Sequence, residues 1–115
     1  MEAKSSPLEI VYSLDALAEL EEIWEWNAEH NGVHQAHAYR LFLKEQIEKL
    51  KLEPKLGGMV QDRDDLRYLL MMWSSKGYGH LAVYHLDEKA RTITIAHIFH
   101  TSQNWPSKLG KRKKQ

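Results

Sequence analysis

The pattern of apolar and polar residues in the first half of the chain predicts one short strand followed by two helices. Residues 8–12 alternate weakly and are rich in β-branched and aromatic types, which favours a strand. Ser13 then offers a helix N-cap, and apolar residues recur at helical spacing as far as Gly32, which predicts a helix over about residues 14–30. A second helix over about residues 33–52 is indicated by a second apolar stripe: Ala36, Tyr39, Leu43, Ile47 and Leu50.

The second half of the chain contains three strand-like runs, at residues 66–73, 79–86 and 92–99. The short polar segments between these runs suit hairpin turns. A short connection between the two helices likewise makes them an antiparallel pair. Helices followed by a run of strands are typical of the α+β class. We therefore predict a β-α-α-β-β-β order, with a helical hairpin packed on one face of a four-stranded antiparallel sheet.

Length and composition fit one domain with an ordinary core. The chain has 115 residues, of which 43% are hydrophobic and 28% are charged. The absence of cysteine excludes a disulfide scaffold and a thiolate metal site. The longest unbroken apolar run, residues 68–73, is too short for a membrane span, and no signal peptide is visible at the N-terminus. We therefore expect a cytoplasmic protein with no membrane partner.

The net charge of zero conceals an uneven distribution of charged residues. Residues 5–39 contain seven acids and no Lys or Arg, whereas residues 108–115 contain five bases and no acid. The first 107 residues therefore hold 11 bases against 16 acids, a net charge of −5. We expect a domain over residues 1–107 and a basic, disordered tail over residues 108–115. An acidic body repels phosphate, which argues against a broad nucleic-acid surface.

Five segments in order resemble the RelE/ParE superfamily of type II toxin–antitoxin toxins, over about residues 8–107. The residues that carry the resemblance are Ala16, Glu19, Leu20, Ile23 and Trp24 in the first helix, Leu50, Pro54 and Gly57 after the second, Leu66 and Arg67, residues 79–84, and residues 95–106. The likeness to ParE implies the plasmid-stabilisation type of toxin. The sequence departs from the closing motif of the superfamily at His97 and Gln103, which replace arginines, and at Asn104, which replaces an aspartate.

The resemblance implies a toxin that a cognate antitoxin neutralises, with two activities within the superfamily. RelE-like members bind the ribosome and cleave mRNA, whereas ParE-like members poison DNA gyrase. The acidic first helix favours the ParE-like activity, because a ribosome-bound nuclease has to enter a site lined with RNA. We therefore predict a toxin that binds a gyrase-type topoisomerase. The alternatives are a RelE-like, ribosome-dependent mRNA endoribonuclease that needs no metal, and a non-toxic relative that only binds a partner.

The candidate residues differ between a nuclease and a binding protein. Whether the chain is an enzyme stays open, and we favour a protein that is not an enzyme. For a nuclease, His97 and His100 are suited to acid–base chemistry, and the group is Arg67, Tyr84, His97 and His100. A buried structural tyrosine is the plainer interpretation of Tyr84. For target or antitoxin binding, the candidates are Trp26, Arg67, His80, Trp105, Lys111 and Arg112.

A metal site and a cofactor are both disfavoured by the sequence. His30, His34 and His37 have spacings that suit chelation on one helix face, but Gly32 interrupts the helix between the first two. We therefore expect no metal and no cofactor.

Overall fold

Two consecutive helices form an antiparallel hairpin in the computed structural model, which describes residues 7–74 and 79–110. Helix α1 is Leu14–Asn31, and its N-cap Ser13 accepts a hydrogen bond from the Ala16 amide at 3.0 Å, as its position predicted. Gly32 separates it from helix α2, Val33–Glu48, and adopts a φ of 91°, which residues with a side chain rarely reach. A 3-10 helix, Lys49–Lys51, continues α2. Among the described residues, no helix is both long and apolar enough to cross a membrane.

A single mixed sheet contains every strand that the structure describes. The strands are β1 (Glu9–Tyr12), β2 (Gly58–Val60), β3 (Arg63–Met71), β4 (His80–Asp87) and β5 (Thr92–His100), and a second 3-10 helix, Trp105–Lys108, follows β5. Their order across the sheet is β1-β5-β4-β3-β2. β1 runs parallel to β5, whereas every other neighbouring pair is antiparallel.

The α+β class and the helical hairpin are confirmed, with two differences from the predicted sheet. The sheet has five strands rather than four, because residues 58–60 pair with β3 as a strand that was not predicted. It is also not wholly antiparallel, because the helical hairpin lies between β1 and the remaining strands and returns the chain so that β1 is parallel to β5.

Each face of the sheet has its own apolar core. The helices cover one face, where Leu20, Leu43 and Ile47 pack against sheet residues such as Tyr84 and Ile95. The other face carries a smaller cluster of Val60, Leu66, Leu81, Val83 and Phe99, partly covered by Tyr68, Trp105 and Leu109. The helices therefore cover one face of the sheet, and the C-terminal segment covers only part of the other.

An irregularity in β5 decides which side chains meet the helices. Tyr84 of β4 is opposite Ile95, but its neighbour Val83 is opposite His97, so Ala96 is an extra residue. After this bulge, Ile98 belongs to the helix-facing core and Phe99 to the opposite cluster. His97 and His100 therefore lie on opposite faces of the sheet, as strict alternation between them requires.

Candidate functional site

A cleft of about 940 Å³ opens where the two helices approach the paired ends of β4 and β5. Ile23 and Trp26 of α1 and Tyr39 of α2 form its helical wall, and His80 and His100 belong to its sheet wall. A cleft of this volume with aromatic walls is large enough for part of a peptide or a small ligand. Its polar lining residues include Glu19, Glu22, Asn27, Gln35, Gln103 and Lys108.

Two histidines meet at this cleft because β4 and β5 pair them directly. His80 is opposite His100, and their rings make an edge-to-face contact with centroids 5.1 Å apart. His80 Nδ1 also lies 2.7 Å from the Tyr39 hydroxyl. Burial, with a smaller contribution from nearby His100, lowers the pKa of His80 to about 4, so its ring is neutral at pH 7. Burial raises the pKa of Tyr39 to about 12, so its hydroxyl keeps its proton.

Exposed aromatic rings border the cleft on two sides. Trp73 stacks on Tyr39 with ring centroids 5.2 Å apart and is still 45% exposed. Trp26 stacks on His30 at 4.1 Å and is 57% exposed. Large exposed rings around an apolar cleft are typical of protein-binding surfaces. The cleft thus contains two of the predicted binding residues, Trp26 and His80, and the predicted catalytic candidate His100.

His97 lies apart from the His80–His100 pair and contacts a carboxylate from α1. Its Nδ1 lies 3.0 Å from Glu19 Oε2, and its ring stacks on Phe99 on the sheet face that the helices leave open. Glu19 Oε1 accepts a second hydrogen bond, from the Ile98 amide at 2.7 Å. One carboxylate therefore fixes both the His97 ring and the edge of β5.

Arg67 and Tyr84 form a separate pair at the loop that follows α2. They are opposite each other on β3 and β4. The Tyr84 hydroxyl donates to the Pro54 carbonyl at 2.8 Å and accepts from the Gly57 amide at 3.0 Å. Arg67 donates to the Gly57 carbonyl at 2.8 Å. Burial raises the pKa of Tyr84, and both side chains are engaged in holding this loop against the sheet.

The remaining predicted binding residues lie at the C-terminal end of the chain. Trp105 contacts Tyr68 with ring centroids 5.3 Å apart, on the sheet face away from the helices. Arg63 donates to the Leu109 carbonyl at 2.8 Å, which ties this segment to β3. Lys111 and Arg112 lie outside the described residues.

Most residues that line the cleft were not predicted as functional candidates, and Glu19, Tyr39 and Gln103 are among them. Glu19 is at a position that the first-helix motif includes, but the sequence analysis gave it no functional role. Tyr39 fell on the apolar stripe of α2 and was assigned to the core. In residues 7–74 and 79–110, no cluster of three His, Asp or Glu residues is arranged to hold a metal ion.

The fold has close counterparts among solved structures of toxins. A structure described as the chromosomal ParDE toxin–antitoxin system from P. aeruginosa is similar with a TM-score of 0.68 and 18% identity, over 83% of this chain and 97% of that one. The free state of a mutant E. coli toxin RelE is similar with a TM-score of 0.64 and 12% identity, over 90% and 93% of the two chains. At these identities the likeness establishes the fold, which is that of the RelE- and ParE-type toxins.

Sequence comparison defines the family more narrowly. A search of curated protein sequences gives no significant match. The family model for the ParE toxin of the type II toxin–antitoxin system, parDE, matches residues 10–105. The chain therefore belongs to the ParE toxin family.

Proposed function

We propose that this chain is a ParE-like toxin that acts by binding a protein target, a DNA gyrase-type topoisomerase, and that a cognate antitoxin neutralises it in the cytoplasm. The observation that carries the proposal is the separation of the nuclease candidates. The Arg67–Tyr84 pair and the His80–His100 pair lie four residues apart along β4, which is about 13 Å at the usual rise of a strand. His97 is on the other face of the sheet from His100.

The internal contacts of these side chains support binding rather than RNA cleavage. The Tyr84 hydroxyl and the Arg67 guanidinium already hold the loop at residues 54–57, and His97 holds Glu19. A general acid or base has to reach the proton that it transfers, within about 3 Å or through one water. A catalytic use of Tyr84 or Arg67 would therefore require this loop to release them.

The charge of the exposed helix supports a protein target over RNA. Four glutamates on the outer surface of α1 are exposed: Glu21, Glu22, Glu25 and Glu29. A surface of like charge repels the phosphate backbone, and this repulsion opposes entry into an RNA-lined site. The exposed rings of Trp26 and Trp73 offer apolar contacts of the kind that protein partners use.

The His80–His100 contact supports one second candidate, the RelE-like mRNA endoribonuclease. Two imidazoles in a cleft are suited to acid–base transfer, and the lowered pKa of His80 keeps that ring in its neutral form at pH 7. In this reading His100 and His80 act on the RNA, with the ribosome as the partner.

Two assays on the purified full-length chain distinguish these functions. The first follows supercoiling and DNA cleavage by DNA gyrase on a relaxed plasmid, and the second follows mRNA integrity in a cell-free translation system. We expect inhibited supercoiling or trapped cleavage complexes with intact mRNA. Cleaved mRNA with unaffected gyrase would establish the RelE-like alternative. If both assays are unaffected while a cognate antitoxin still binds, the chain is a partner-binding relative without either activity.

Substitutions at the cleft add a control to both assays. Trp26→Ala removes an exposed ring of the cleft, and Leu41→Ala removes an exposed apolar side chain of α2 that does not line it. Loss of gyrase inhibition by the first variant alone supports the cleft as the binding surface. Equal loss in both variants points to a fold defect, which circular dichroism would reveal.

A further inference from the structure

His80 and His100 form a cross-strand pair in which the two side chains approach each other closely. The next pair along the strands, Gly79 and Thr101, carries the ladder bond, because the Thr101 amide donates to the Gly79 carbonyl at 2.9 Å. The His100 amide points away from β4 and donates to Gln103 Oε1 at 2.7 Å. The two histidines therefore lie between ladder bonds, where opposed side chains share one face of the sheet and are closer than at bonded positions.

The spacing of the two rings matches that of two imidazoles bound to one metal ion. Their centroids are 5.1 Å apart, and their planes are at 87° to each other. With Zn–N distances of about 2.0–2.1 Å, each ring centre lies roughly 3.2 Å from a zinc ion, so two ring centres at the tetrahedral angle are roughly 5.2 Å apart. Zinc has no geometric preference from its d-electrons, so it accepts ring planes at this angle. Strand pairing thus places both rings at the spacing of metal ligands.

A hydroxyl group engages the Nδ1 atom of each ring. His80 Nδ1 lies 2.7 Å from the Tyr39 hydroxyl, and His100 Nδ1 lies 2.6 Å from Ser102 Oγ. Histidine ligands usually donate their second ring N–H to an oxygen of this kind, which fixes the ring and leaves the other nitrogen for the metal. Coordination therefore falls to the two Nε2 atoms. The Ser102 amide, which donates to His100 Nδ1 at 3.1 Å, has to release that nitrogen, because Nδ1 carries the proton when Nε2 binds a metal.

The surroundings of the pair favour a cation of the transition-metal type. Both rings line the cleft, in which two carboxylates, Glu19 and Glu22, outnumber one base, Lys108. Imidazole nitrogen suits zinc, nickel and copper, whereas magnesium and calcium prefer oxygen ligands. In residues 7–74 and 79–110, no third His, Asp or Glu forms a metal-binding cluster with the pair. A metal held by these two rings would complete its coordination with water or with a ligand that enters the cleft.

We propose that His80 and His100 bind one divalent transition-metal ion of the zinc type through their Nε2 atoms, at the wall of the cleft. The ion joins the first residue of β4 to the last residue of β5 and brings positive charge to a surface that carries two carboxylates. The residue pattern gave no reason to expect a metal here, because the two histidines are distant in sequence and only strand pairing brings them together. The site is independent of whether gyrase is the target.

Isothermal titration of the full-length chain with zinc chloride at pH 7.5 tests the site, on protein purified without a histidine tag. We expect saturable binding of one ion per chain, whereas magnesium chloride at the same concentrations should give no binding heat. Amide NMR spectra locate the ion. Zinc should shift the resonances of His80, His100 and Ser102, the last because its amide loses the bond to His100 Nδ1, and should leave His34 of α2 unchanged.

Variants of the two ligands separate this site from the other histidines of the chain. His80→Gln and His100→Gln should each weaken zinc binding at least about tenfold, since loss of a ligand costs at least as much as loss of its hydrogen-bond partner. His85→Gln on β4 and His34→Gln on α2 change exposed histidines outside the cleft and are the matched controls, which should keep the native affinity. His100→Gln keeps the test decisive if His80→Gln, which loses the contact with Tyr39, does not fold.

Three results would overturn the proposal. Absence of saturable zinc binding up to about 1 mM would exclude the site, because weaker binding than this is not specific. Native zinc affinity in both His80→Gln and His100→Gln, with amide spectra that show a native fold, would place the ion at other residues. Zinc-dependent dimers in sedimentation, with half an ion per chain in the titration, would assign the histidines to an interface between two copies of the chain.

Discussion

The Tyr39 hydroxyl lies 2.7 Å from His80 Nδ1, so a side chain of α2 is joined directly to the first residue of β4. The bond closes the inner wall of the cleft and places the His80 ring where solvent reaches it poorly. A neutral imidazole fits this position, whereas an imidazolium would lose hydration without gaining a carboxylate partner. This relationship makes the stability of the fold sensitive to pH.

The free energy of unfolding should fall as the pH drops from 6.5 towards 4. The pKa of His80 is about 4 in the folded chain against 6.5 for the free side chain, so the unfolded state binds the proton first. Between pH 6.5 and 4 the free energy of unfolding falls by up to about 1.4 kcal/mol per pH unit, roughly 3 kcal/mol in total. Below pH 4, His80 contributes no further loss.

Urea unfolding of the native chain and of His80→Gln at pH 7 and pH 4.5 measures this effect. The variant should lose the part of the pH dependence that His80 contributes, whatever its stability at pH 7. His85→Gln, an exposed position on the same strand, is the matched control and should keep the native dependence. Identical pH dependence in the native chain and His80→Gln would contradict the assignment.

Tyr84→Phe should destabilise the fold by about 1–3 kcal/mol, because the Gly57 amide and the Pro54 carbonyl each lose a partner inside the protein. Thermal and urea unfolding measure the change. Tyr68→Phe, on the opposite face of the sheet, is the comparison and should have a smaller effect. A Tyr84→Phe chain as stable as the native one would show that these two hydrogen bonds contribute nothing net.

Gly57→Ala should be far more destabilising than Gly58→Ala. A Cβ at position 57 would clash with the Tyr68 carbonyl oxygen and lie 2.9 Å from a ring carbon of Tyr84. At position 58 the nearest atoms belong to the Tyr68 ring at 3.1 Å, and a side chain yields more easily than backbone. We expect a cost of at least about 2 kcal/mol for the first change and under about 1 kcal/mol for the second. Equal urea concentrations at the unfolding midpoint of the two variants would contradict this ranking.

Trp26→Ala should reduce the affinity for a protein partner while changing the free energy of unfolding by less than about 1 kcal/mol, since the ring is mostly exposed. A loss of at least about tenfold in affinity is expected if the ring is a central contact. Isothermal titration with the partner measures the loss, and Leu41→Ala is the control. Native affinity in Trp26→Ala would remove this ring from the interface.

Most of the fold could be predicted from the sequence because its helices carry local signals. Ser13 and Gly32 define the two ends of α1 through capping and backbone conformation, and both act on neighbouring residues. The strand at residues 58–60 was missed because it is short and begins with glycine. The parallel pairing of β1 with β5 joins residues more than 80 positions apart, and no local pattern carries that information.

The candidate site was predicted less completely, since its geometry depends on contacts between distant residues. Trp26, His80 and His100 were identified as candidates, and the structure brings them to one cleft. The bulge at Ala96 places Ile98 rather than His97 on the helix side, and nothing in the residue types around it predicts an extra residue there. The sequence does not distinguish Glu19 from the other acids of α1. Only the fold brings the Ile98 amide of β5 against its carboxylate.

The parallel pairing of β1 and β5 also has a consequence for when the protein becomes complete. β1 is synthesised before its partner residues, Thr92 to Ile95, which follow it by more than 80 positions. A growing chain that stops before Thr92 has no strand to hold β1 and no β5 wall for the cleft. Such a long loop has to close before these contacts stabilise it, which makes this step late in folding. A partly synthesised chain therefore lacks the cleft that we propose as the binding surface.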